Sequence, residues 1–108
     1  MNGFMAQDVV KGVLAPIPNG QFFTVIFEKK DGTLRKMVCQ KGVRKHTNGG
    51  KNVHKDNDNI QGVYEKDKQG YRCFYTDKVL YIKAQGSIHS TNDPVGSARL
   101  AEFEMASV

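Results

Sequence analysis

At 108 residues the chain is one small domain, with room for a single core and little stability to spare. Its hydrophobic (39 %) and charged (25 %) content is ordinary for a globular protein, and no apolar run approaches the roughly 20 residues that cross a membrane as a helix. The formal charge of +5 is concentrated: seven basic and no acidic residues lie between Thr33 and Lys55, against nine basic and eleven acidic residues elsewhere.

No basic region precedes the first apolar residues, and Asn2 and Gln7-Asp8 interrupt them, which is not the pattern of a signal peptide. Cys39 and Cys73 make no disulfide framework. The expectation is a reducing cytosol with both thiols free, small and half-buried.

In chain order, Gly3 to Leu14 predicts one amphipathic helix with Phe4, Val9, Val10, Val13 and Leu14 on one side. Ala15-Pro16-Ile17-Pro18-Asn19-Gly20 ends it. Gln21 to Lys30 carries Phe22, Phe23, Val25, Ile26 and Phe27, β-formers without helical spacing. Asp31-Gly32 then separates this run from a second strand, Thr33 to Cys39, and predicts a type I′ hairpin. Gln40 to Asn59 has no apolar periodicity and reads as a long loop, of a length a compact domain rarely keeps without a use. Ile60–Lys66, Tyr71–Thr76 and Val79–Ala84 read as three further strands, with turns at Asp67–Gly70, Asp77-Lys78 and Gln85-Gly86.

Five short antiparallel strands predict a mainly β fold, a small barrel over residues 21–86 that closes its sheet and removes its edges. Residues 1–20 form a helical or extended segment before it, and residues 87–108 a linker and tail after it. Ser87 to Pro94 reads as polar linker. Gly96 to Met105 reads as a short helix with Leu100, Phe103 and Met105 as its apolar edge, or as a flexible tail.

The acid-free stretch is the main candidate site. Arg35, Lys36, Lys41, Arg44, Lys45 and Lys51 supply positive charge, and the glycines of Gly42–Lys51 let backbone N–H groups turn toward a phosphate. It is not a nucleotide-hydrolysing P-loop, because Asn52 follows Gly50-Lys51 and Lys45 stands where the first glycine belongs. The alternative is a solvated loop kept soluble by its lysines. A second constellation is Arg72 among Tyr64, Tyr71, Phe74, Tyr75 and Tyr81, where Tyr71 and Tyr75 are candidates for stacking on bases. Strand alternation separates Arg72 and Phe74 from Tyr71, Cys73 and Tyr75, so these side chains divide between two faces. Cys39, His46, His54 and Cys73 lack the paired spacing of a zinc site, and Asp56–Asn59 departs from a calcium loop at Ile60 and Gln61. No nucleophile elbow, His-Glu-x-x-His motif or carboxylate pair stands out, so no enzyme, cofactor or metal is expected.

Two stretches carry a resemblance: Phe23 to Cys39 with Gly42-Val43-Arg44-Lys45-His46 after it, and Gly70 to Val79 followed by Ile82. Together they resemble a family of small, mostly uncharacterised bacteriophage proteins with an Sm-like, SH3-type β-barrel related to the WYL domain. The resemblance spans about residues 21–86. It implies a phage origin, a host-cell cytoplasmic location and an SH3-like barrel. WYL domains sense nucleotides or nucleic acid, and an arginine in the segment matching Tyr71-Arg72-Cys73-Phe74 contacts their ligand, which points to Arg72; the chain has no tryptophan, the name-giving residue.

The leading expectation is a non-enzymatic phage accessory protein that binds nucleic acid or a nucleotide, with no membrane partner. The second is a counter-defence inhibitor, for example of anti-CRISPR type, acting by contact with a host protein complex. The third is a structural or homo-oligomeric Sm-like ring.

Overall fold

The computed structural model describes residues 3–41, 60–66 and 69–106. The β-forming run at Phe22–Glu28 is strand β1, and it pairs antiparallel with β2, Leu34–Gln40, from Phe22 opposite Gln40 to Glu28 opposite Leu34. Asp31-Gly32 marks this hairpin but not its turn type. A type I′ turn needs positive φ at both residues, whereas only Gly32 has it here, at +89°. Lys29 N–H donates to the Thr33 carbonyl at 2.8 Å, so the loop between them holds three residues, with Gly32 in the left-handed position. The Asp31 carboxylate accepts from the Thr33 hydroxyl (2.7 Å) and the Thr33 backbone N–H (3.0 Å), and these two bonds hold it below the usual aspartate range.

Strands β3 (Ile60–Glu65) and β4 (Gly70–Tyr75) follow, then a single 3₁₀ turn, Thr76–Lys78, then β5 (Val79–Ala84) and β6 (Ser87–Ser90). All pairings are antiparallel, in the order β4-β3-β2-β1-β5-β6. The sheet therefore has six strands, not five. Ser87–Ser90, expected as linker, pairs with β5 from Ala84 opposite Ser87 to Tyr81 opposite Ser90. The cause is Gln85-Gly86, whose positive φ angles (+52° and +80°) make the tight two-residue turn that twists one strand back onto the other.

The sheet has a helix on each face. On one, the inner face, α1 (Gln7–Leu14) buries Val10 and Leu14 among Phe23, Val25, Phe27, Met37, Val63, Phe74 and Ile82. Phe27 and Phe74 stack there with ring centroids 5.4 Å apart. On the outer face, α2 (Pro94–Ala106) buries Leu100 on Ile26 and Leu80, with Phe4, Leu34, Tyr81 and Phe103 around them. This double cover explains why Val25, Ile26 and Phe27 are buried consecutively in β1.

Both helices differ from expectation at their ends. Gly3 has φ +86°, and the Met5 N–H donates to the Val79 carbonyl at 2.8 Å, so residues 3–5 run extended beside β5 and α1 begins only at Gln7. Phe4 thus joins the outer cluster and Val9 faces outward. Helix α2 starts before Gly96, because Asp93 caps it: its carboxylate accepts the Val95 N–H (2.8 Å) and its carbonyl the Ser97 N–H (2.8 Å), with Pro94 in the first helical position. Met105, 77 % exposed, is no part of the apolar edge. Arg99 ties α2 down by donating to Glu28 (3.0 Å) and to the Gly32 carbonyl (3.1 Å). Among the described residues no helix is long and apolar enough to cross a membrane.

Candidate anion-binding site

Strand alternation puts Arg35, Met37 and Cys39 of β2, Val63 and Glu65 of β3, and Arg72 and Phe74 of β4 on the inner, core-facing side. A carboxylate at such a position needs partners, since an unpaired buried charge costs several kcal/mol. Glu65, with its side chain 4 % exposed, has two. Arg35 Nη2 donates to Glu65 Oε2 at 2.5 Å, and Arg72 Nε lies 3.4 Å from Oε1. The second contact is an ion pair outside good hydrogen-bond geometry, so Oε1 has no hydrogen-bond donor among the described residues. Arg72 Nη1 donates to the Tyr71 carbonyl at 3.0 Å, and the guanidinium lies over Gly70, where a Cβ would come within 2.9 Å of Nη1.

Two guanidiniums on one carboxylate leave an excess positive charge. Arg35 and Arg72 are 27 % and 41 % exposed, so their outer edges reach solvent while Glu65 fixes them from below. The planar fork of each guanidinium suits the paired oxygens of a phosphate or carboxylate. Burial first, and then the charge of Glu65 opposite it in the ladder, push the Cys39 thiol up to about 12.

The remaining expected residues lie elsewhere. Lys36 is exposed on the outer face. Lys41, six residues beyond Arg35 along an extended strand and so about 20 Å away, donates from Nζ to the carbonyls of Leu14 (2.5 Å) and Ala15 (3.0 Å). It neutralises the C-terminal end of α1. Lys41→Met is expected to lower stability by about 0.5–1 kcal/mol in thermal unfolding and to leave phosphate affinity unchanged. Arg44, Lys45 and Lys51 lie outside the described residues.

Tyr71 and Tyr75 are on the outer face, as alternation requires, so the structure does not bring them together with Arg72 on one surface. Tyr71 instead packs edge-on against Tyr64, its ladder partner, with centroids 5.2 Å apart. Cys39 is buried and Cys73 exposed, neither of them half-buried. The residue sequence reasoning missed is Glu65; its signal was a carboxylate two positions after Val63, in the inward phase of a strand.

No curated protein and no solved structure matches the chain. A family model does match, over residues 19–80, more than half of the sequence and every strand from β1 to β4. The meander β1 to β4, the 3₁₀ turn and the return of β5 to pair with β1 fall in or directly after that span, and the chain belongs to the family described as WYL_2, Sm-like SH3 beta-barrel fold.

Proposed function

We propose that the chain is a non-enzymatic binding module that takes a phosphate-bearing ligand, nucleic acid or nucleotide, at the rim formed by Arg35 and Arg72. The observation that carries this reading is the convergence of two partly exposed arginines on one buried carboxylate. The net charge of +5 supports it, because such a field raises the local concentration of polyanions. The resemblance of the two stretches described above supports a phage accessory protein acting in the host cytoplasm.

Titration of labelled DNA, RNA and cyclic nucleotides at low and at physiological salt tests the proposal. Binding at low salt is expected to weaken as salt rises, and Arg72→Ala to flatten that slope by about one phosphate contact. Absence of binding at low salt overturns it. A stoichiometric protein partner that survives nuclease treatment of host lysate, together with that absence, establishes the inhibitor reading instead.

A further inference from the structure

Helix α2 covers the outer face of the sheet around β1, β5 and the Leu34 end of β2, where Ile26, Leu80 and Leu34 lie about Leu100. Toward β4 the register sets Phe22, Gln40, Tyr64 and Tyr71 in one row across four strands. At about 4.8 Å between strands, the row is about 14 Å long. Phe22 (43 % exposed) and Tyr71 (41 %) stand at its two ends. Beside the row, Gly62 of β3 has none of the described residues within 4 Å of where a Cβ would be, next to Tyr64.

Among the described residues the charge beside this row is basic. Lys66 Nζ sits 5.6 Å from the centre of the Phe22 ring, and Lys36 is exposed on β2. Among the outward strand positions of β1 to β4 the single carboxylate is Glu28, at the far end and bonded to Arg99. Exposed rings interleaved with cations, and with no free carboxylate among the described residues of these strands, match a ligand that has π-faces and negative charge together. A duplex keeps its base faces stacked internally, so a single strand is the fitting form. A second copy of this chain paired by two-fold symmetry would set Lys36 and Lys66 against a face of the same sign.

From this we infer that the outer face of β1–β4 is a base-stacking platform for single-stranded nucleic acid, with Tyr71 and Phe22 under the bases and Lys66 and Lys36 on the phosphates. The inference rests on the nucleic-acid reading above and adds to it a strandedness and a second surface. Tyr71 and Arg72 are consecutive on the end strand β4, so a base on one and a phosphate on the other lie on the two sides of a single strand edge.

The chain has four tyrosines and no tryptophan, so its intrinsic fluorescence reports tyrosine alone. Short oligothymidylate is expected to quench that fluorescence, and a blunt duplex of equal length to bind more weakly and quench less. Tyr71→Ala is expected to weaken oligothymidylate binding roughly 5- to 150-fold, the range for losing one stacked base, with the salt slope unchanged; Tyr71→Phe retains the affinity. Binding that survives Tyr71→Ala and Phe22→Ala intact overturns the platform while leaving the arginine site standing. Equal affinity for duplex and single strand also overturns it. No oligonucleotide binding at low salt overturns both, and loss of self-association in Tyr71→Ala by light scattering would make the face a contact between copies.

Discussion

Glu65→Ala is expected to lower the unfolding free energy by about 3 kcal/mol and, in the same protein, to tighten phosphate binding. Breaking a buried ion pair by removing one partner costs about 3–5 kcal/mol. The lower end applies here because Arg35 and Arg72 are partly exposed and regain water once released. For a domain of this size the loss appears as a fall of roughly 10–20 °C in the melting temperature. The two effects run in opposite directions because the carboxylate both supports and masks the arginines: without it their charges repel and are both open to an anion. Glu65→Gln keeps the volume and an acceptor for Arg35, and is expected to lose less stability while still binding phosphate more tightly. A variant that loses stability and phosphate affinity together would mean that Glu65 serves the ligand directly, and the masking account would fall.

Gly96→Ala is the second substitution of large effect. In a helix interior alanine ordinarily gains up to about 1 kcal/mol over glycine. At Gly96 the new Cβ would stand 1.8 Å from the Gly3 carbonyl oxygen and 2.6 Å from Thr91 Cγ2. The first obstacle is backbone, which no rotamer change removes. Gly3 cannot give way freely either, since its own φ of +86° suits only glycine and its neighbour Met5 is bonded to β5. The segment must lift, and a net loss of roughly 2–3 kcal/mol is expected from over-packing and the exposure of Phe4 and Met5. A lower urea midpoint and faster proteolysis near the N-terminus would show it. Gly12 of α1, with none of the described residues within 4 Å of its Cβ position beyond its own helix and chain neighbours, is the control at which the same change is expected to do no harm.

The strands from β1 to β5 were legible because β-forming residues and turn residues alternate clearly along residues 21–86. Strand β6 was not: Ser87-Ile88-His89-Ser90 is mostly exposed on both sides, so no core imposes a pattern on its sequence. Its trace was the Gln85-Gly86 turn, a weaker hairpin signal than Asn-Gly or Asp-Gly. Asp93-Pro94 held the start of α2 in plain view, as a capping residue followed by the proline favoured at the first helical position. The separation of Arg72 from Tyr71 and Tyr75 followed from alternation alone. What alternation could not supply was the meeting of Arg35 with Arg72. It depends on how β2 and β3 share only two paired positions, Cys39 with Glu65 and Gln40 with Tyr64, and so on a register set by packing far along the chain. The acid-free stretch read as one positive patch; in three dimensions Lys41 stands on α1, and Arg35 on Glu65.

The extended residues 3–5 have a thermodynamic consequence. Phe4 belongs to the outer cluster and the adjacent Met5 to the inner one, while Gly3 touches the first turn of α2. Two hydrophobic clusters on opposite sides of a sheet would ordinarily open as separate units, each with its own free energy. Here a segment of three residues threads both, so releasing either helix withdraws a side chain from the cluster behind the other. The strap makes the two halves of the core one cooperative unit.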